Sequence, residues 1–142
     1  MESNIQFLEK IYQSAASTAY SLQKVAEKSE DKDLYDLIEK QRLATEAVSH
    51  SIERKLIDCG KMPSQPSVLA KCDIVYTLMT GTIADSSPSK LAEITINKLQ
   101  KEIDNLDKST DEFACSSPDI NTLLNELLTL DRNSIEALKL HI

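Results

Sequence analysis

The first apolar residues of the chain, Ile5, Leu8, Tyr12, Ala15, Ala19, Leu22 and Ala26, are spaced 3, 4, 3, 4, 3 and 4 apart. A strand would alternate every second residue, whereas this interval draws one continuous seam along a helix that lies lengthwise on others. The pattern predicts a helix from about Asn4 to Lys28. Ser3 followed by Gln6 forms a capping box at its start, and the run SAAS at 14–17 lets a neighbouring helix approach closely.

The rest of the chain repeats the theme. A second helix is predicted from about Lys32 to Cys59, with Leu34, Leu37, Ile38, Val48, Ile52, Leu56 and Cys59 facing inward, and Gly60 stands where a helix end is expected. KMPSQPS then breaks the pattern, since two prolines in four residues cannot continue a helix. Residues 68–84 read as a shorter helix interrupted by Gly81. The tripeptides SSP at 86–88 and 116–118 each set Ser at an N-cap and Pro at the first helical position. The helix after the first carries Leu91, Thr95, Leu99, Ile103 and Leu106 inward; the helix after the second carries Ile120, Leu124, Leu127, Ile135 and Leu138. Two glycines and four prolines leave little material for a turn-rich β fold, so the fold class is all-α, in a single domain over residues 1–142.

Four of the segments are matched rods of roughly 33 to 42 Å at 1.5 Å per residue, which suits a four-helix bundle. The fifth, residues 68–84, is about 25 Å long, enough to return along the outside. That return makes the second and third long helices parallel, the one-crossover bundle, where an up-down-up-down order would need only a short loop.

Charge and composition exclude several functions. Sixteen basic against 23 acidic residues give a net charge of -7, which repels nucleic acid and anionic membrane surfaces unless a basic patch overrides it, and the lysines instead alternate with acids, as in Lys24, Glu27, Lys28, Glu30 and Asp31. MESNIQFLEK lacks the features of a signal peptide, and no apolar run reaches the roughly 18 to 20 residues of a membrane span, so the expected location is the cytoplasm. Cys59, Cys72 and Cys115 form no CxxC and are expected as reduced thiols. Two glycines give no phosphate loop, 4% aromatics give no stacking platform for bases, and neither histidine has an acidic partner and a nucleophile. No catalytic residue and no cofactor is assigned. The Met and Thr of YTLMTGT are read as packing within the crossover.

Three polar residues break the apolar faces. Asp131 is centred among Leu124, Leu127, Ile135 and Leu138; Gln41 is equally central between Leu37, Ile38 and Val48; Thr95 faces inward on the helix after Pro88. Counted back from the two hairpin turns, they reach about the same height. A buried polar group left unpaired costs on the order of 1 to 3 kcal/mol, so Gln41, Thr95 and Asp131 are expected to form a hydrogen-bonded layer in mid-bundle, with Tyr12 nearby, that fixes helix register.

NIQFLEKIYQSA, the helix exit CGKMP, AKCDIVYTLMTG followed by Asp85 and SSPSKLAEI, and the terminal NSIEALKLHI give the chain a resemblance to the ferritin-like four-helix superfamily, and more closely to a group of small bacterial bundle proteins with no assigned activity. The resemblance spans nearly the whole chain and implies a fold, not a reaction. Members that hold two metal ions place a Glu on two helices and Glu-x-x-His on the other two. This sequence departs from that set throughout. The first helix has no carboxylate on its seam, Glu46 and His50 are four residues apart, and Glu126 and Glu136 are followed three residues later by Thr129 and Lys139. At about 100° per residue, His50 lies about 160° from Val48 and Ile52 and faces water. His50, with Arg54 and Lys55 beyond it in VSHSIERKL, faintly resembles a phospho-accepting helix but lacks the acidic neighbour and proline. His141 sits at the last turn, where it favours the negative helix end.

The expected function is therefore that of a non-catalytic bundle acting through self-association or a protein partner, using leftover apolar stripes such as Leu43, Ala47 and Ile57. The alternative is a metal-binding or redox protein with a reduced site at Asp131, Glu102 and a cysteine.

Overall fold

A computed structural model describes residues 2–113 and 117–142. It contains five α-helices, α1 (Glu2–Lys28), α2 (Lys32–Asp58), α3 (Val68–Thr82), α4 (Pro88–Glu112) and α5 (Pro118–Leu138), followed by a 3₁₀ turn at Lys139–His141, and no strand among the described residues.

Local chemistry sets the boundaries. Asp31 caps α2 by accepting from the Leu34 amide at 2.9 Å, Ser67 caps α3 by accepting from Ala70, and Ser87 caps α4 by accepting from Lys90, with Pro88 next in line. Each bond satisfies an amide that the first helical turn leaves without a carbonyl. Gly60 adopts φ +82° just past α2, a conformation that costs other residues about 1 to 2 kcal/mol, and lets the Lys61 amide fold back onto the Leu56 carbonyl.

Cross-links between helices give their directions. Phe7 packs on Phe113 with ring centroids 6.0 Å apart, Ser14 donates to Glu102, and Lys98 donates to Ser17, so α1 and α4 run antiparallel. Gln41 donates to the Ser134 carbonyl and Lys55 pairs with Asp119 at 3.1 Å, so α2 and α5 are antiparallel too. Since α1 and α2 form a hairpin across residues 29–31, α2 and α4 point the same way. The connection between them climbs back along α1: the Gln13 amide group donates to the Ser64 carbonyl, Gln65 donates to the Tyr12 hydroxyl at 2.7 Å, and Pro66 is buried. α3 continues the climb against α1 and α4, with Leu78 and Thr82 as its buried residues.

Three sequence expectations change here. α1 already runs at Glu2, so Ser3 lies inside the helix and is not its N-cap. Cys59 is exposed, because it is the C-cap of α2 and lies past the last helical residue, Asp58. Of YTLMTGT only Leu78 and Thr82 are buried; Tyr76 and Met79 point outward. Cys115 lies outside the described residues.

The core is divided along its length. One end is filled by Phe7, Leu8, Ile11, Leu56 and Leu106, the other by Leu22, Leu34, Ile38, Leu91 and Leu138, all at most 1% exposed. Each such side chain contributes roughly 1.5 to 3 kcal/mol by leaving water. Between the ends lies a polar waist: Ser14, Thr18, Gln41, Thr45, Thr95, Glu102, Asp131 and Ser134 are all buried.

Candidate functional site

The waist is where four helices bring chemistry together. Residues Gln41, Thr95 and Asp131 are buried as the seams require, at 5%, 2% and 1% exposure. Their hydrogen bonds do not join them to one another. Thr95 turns its hydroxyl back to its own Leu91 carbonyl at 2.8 Å, as Thr45 does to Gln41, so these threonines present methyl groups to the core. Gln41 donates to the Ser134 carbonyl at 3.2 Å, and its Oε1 has no partner. Both carboxylate oxygens of Asp131 are likewise buried and unpartnered. Tyr12, on α1, turns to the connection between α2 and α3, where its hydroxyl accepts from Gln65; burial raises its pKa, with Glu53 adding to the effect and the Gln65 bond opposing it.

The missing member of the waist is Glu102. It sits two turns beyond Thr95 on α4, 7% exposed, with Oε2 accepting from Ser14 at 2.5 Å and Oε1 accepting from Lys98 at 3.0 Å. Lys98 also donates to Ser17 at 3.1 Å. The two carboxylates therefore differ: Glu102 is fully bonded, Asp131 is not. Burial foremost, with the negative charge of Glu102 adding to it and Arg132 pulling against both, raises the Asp131 carboxyl to about 7. Burial acts because an ion in a low-dielectric interior is far less well solvated than the neutral acid.

The other candidates are dispersed. His50 is exposed, with Nδ1 4.0 Å from Glu53 Oε2 one turn on, and His141 is half-buried in the terminal 3₁₀ turn. Glu46 is held by Arg42, which also grips Glu39, both at 2.7 Å; those bonds raise the Arg42 pKa, Glu39 foremost. Cys59 and Cys72 are both on the surface, so neither joins Asp131 and Glu102. No three His, Cys, Asp or Glu side chains are grouped to hold a metal ion among the described residues. None of the helices there is long and apolar enough to cross a membrane. No known protein family, curated protein or solved structure matches the chain.

What the geometry offers instead is surface. Val68, Leu69, Tyr76, Met79 and Ile83 are each more than half exposed, from 55% at Met79 to 83% at Leu69 and Ile83. Leu69, Cys72, Tyr76, Met79 and Ile83 are spaced 3, 4, 3 and 4, and Cys72 is exposed with them. This second seam, on the outside of α3, is hard to see in the sequence because apolar residues surround α3 on all sides and hide its periodicity.

Proposed function

We propose that the protein is a non-catalytic bundle of the ferritin-like type, with α3 as its crossover, that acts by associating with a second copy of itself through the outer seam of α3. The observation that carries this reading is the 3-4 spacing of Leu69, Cys72, Tyr76, Met79 and Ile83 on an exposed helix face. That spacing is the one by which side chains of two helices interlock. A helix apolar all round is one that is covered on both sides. The body of the bundle covers only one side of α3.

Self-pairing fits the charge as well. The net charge of -7 opposes contact between two copies over most of the surface, but α3 carries only Lys71 and Asp73 as charged residues and its seam carries none. The other exposed stripe, Leu43, Ala47 and Ile57 on α2, is interrupted on the same face by His50 and Arg54, which makes it the poorer surface.

Light scattering across a concentration series tests the proposal. The mass should climb from the 15.8 kDa monomer toward twice that value, and Leu69→Glu with Met79→Glu should hold it at the monomer without loss of helix signal. Mild oxidation of a Cys59→Ser, Cys115→Ser background should trap the pair through Cys72. A monomer mass at every concentration, or association untouched by the α3 changes, would overturn it.

A further inference from the structure

α3 is held to the rest of the molecule more lightly than the other helices. Of its fifteen residues Leu78 and Thr82 are buried, whereas α2 and α4 bury seven each and α5 eight. Ile74 and Val75 are half-buried beside Leu78. Among the described residues no side-chain hydrogen bond or ion pair joins α3 to another helix: Thr80 and Thr82 bond back to carbonyls of α3 itself, and the polar contact outward is the Lys71 ammonium, 5.3 Å from the centre of the Tyr20 ring. Along α4 the fit is open. A space of about 240 Å³ remains between Asp73 and Thr77 on one bank and Ile94, Asn97 and Lys101 on the other, and the two helices come together at Gly81, where a Cβ would lie 3.0 Å from Ile94 Cδ1.

By itself α3 is a poor helix. Fifteen residues is near the length at which isolated helices are marginal in water, Val75, Thr77, Thr80 and Thr82 are β-branched, and Gly81 lies inside. Its order depends on what covers it. The chain before α3 is pinned, by Gln13 on the Ser64 carbonyl, Gln65 on Tyr12 and the buried Pro66, while residues 83–86 after it are exposed. The four long helices are tied to one another without α3, through Phe7 and Phe113, Ser14 and Glu102, Gln41 and Ser134, and Lys55 and Asp119.

We propose that α3 is a strap: residues 67–86 open from the body as one unit while the four long helices stay folded, and pairing with a second copy holds the strap shut. Opening uncovers little more than the seat of Leu78, so it costs far less than global unfolding. The outer seam exists only while α3 is helical, and off the body α3 is not helical. Only the closed form can therefore pair, and pairing draws the population toward it. The second half of the proposal rests on the self-association proposed above; the first does not.

Hydrogen exchange at pH 6, resolved by helix and followed through a series of low urea concentrations, tests both halves. Leu69→Glu with Met79→Glu charges the seam, and glutamate is as good a helix former as the residues it replaces. In that monomer, protection in α3 should be about a hundredfold and nearly independent of urea, set by one buried leucine, against roughly ten thousandfold or more in mid-α2 and mid-α5, falling steeply with urea. Ile52→Val, a change in the body, should lower protection several-fold in α2 and α5 and leave α3 as it was. In the parent, α3 protection should rise with concentration in step with the mass from light scattering. Equal protection and equal urea dependence in α3, α2 and α5, or an Ile52→Val loss shared by α3, would overturn the strap. A mass that doubles with no added protection in α3 would overturn its closing by a second copy; a mass fixed at the monomer removes that closing together with self-association, and the exchange of α3 in the monomer still decides the strap.

Discussion

Replacing Asp131 by Asn should stabilise the protein at high pH and do almost nothing at low pH. Asp131 is 1% exposed, has no hydrogen-bond partner on either oxygen, and titrates at about 7 against an ordinary 3.8. The folded chain therefore holds this proton more tightly than the unfolded one. Between about pH 4 and pH 7 the unfolded chain has released it and the folded chain has not, so stability falls as pH rises through that window and is level on either side. At 1.36 kcal/mol for each tenfold in proton affinity, the whole fall is about 4 kcal/mol, an upper figure because the interior relaxes around a charge. Asparagine keeps the shape, cannot ionise, and loses nothing that a hydrogen bond was providing. Urea unfolding of Asp131→Asn and its parent at pH 4, 5.5 and 8, both in the Leu69→Glu, Met79→Glu background so that association does not enter, should give a difference near zero at pH 4 that grows to several kcal/mol at pH 8. A difference that is the same at all three pH values would show that the carboxyl is not held neutral by burial. A variant less stable than its parent at pH 8 would show that something in the protein grips the anion, and an unpaired carboxyl in the waist would be ruled out.

Three smaller changes probe the rest of the scaffold. Gly60→Ala should lower the melting temperature by about 3 to 7 °C, although there is open space around the position, because the backbone at φ +82° is the whole of the cost. Ser87→Ala, which removes an observed cap bond to Lys90, should cost about 1 kcal/mol in urea unfolding, whereas Ser117→Ala, whose side chain makes no such bond, should cost no more than a few tenths. Dialysis against EDTA should leave the thermal midpoint where it was, because Glu102 has both oxygens occupied by Ser14 and Lys98 and leaves Asp131 without a second free ligand.

The helices are legible in the sequence because their ends are written in residues of one meaning: Gly60 past α2, Ser87 and Pro88 at α4, Ser117 and Pro118 at α5. Length alone suggests a return along the bundle, but part of that climb is made by residues 64–66 beside Tyr12 and Gln13, in a stretch whose prolines read only as a break. Half of the waist is legible too. Gln41, Thr95 and Asp131 stand out because each is centred in a stripe of leucine, isoleucine and valine, but the expectation that they bond to one another assumes that equal height means contact. Two of the three instead bond to backbone, which no residue spacing reveals. Glu102 reads in the sequence as a candidate metal ligand and not as part of the layer, although Leu99, Glu102 and Leu106 share a face. Ser14, Thr18 and Ser21 are harder still. Phe7, Ile11, Ser14, Thr18, Ser21 and Val25 form a second 3-4 seam beside the first, and its polar centre makes it look like solvent-facing helix. α1 is buried on two faces, one toward α2 and one toward α4 and α3.

The division of the core into two apolar ends and a polar waist answers a question that an all-apolar core would leave open. Four helices with 3-4 seams can slide past one another by a heptad and still mate leucine with leucine. Here they cannot. With Gln41 bonded to Ser134 and Lys55 to Asp119, Asp131 stands near the height of Thr45 on α2. A seven-residue slip of α5 in either direction would carry the carboxyl toward Ile38 or Ile52 and would strip Gln41 of its only bond. On α1 and α4 the same slip would part Ser14 from Glu102 and Lys98 from Ser17, leaving Glu102 only the Lys98 ammonium on its own helix. The unpartnered Asp131 weakens the native state, yet each of these shifted registers breaks a buried bond between helices without giving Asp131 a partner. The waist lowers stability and widens the gap to the alternatives.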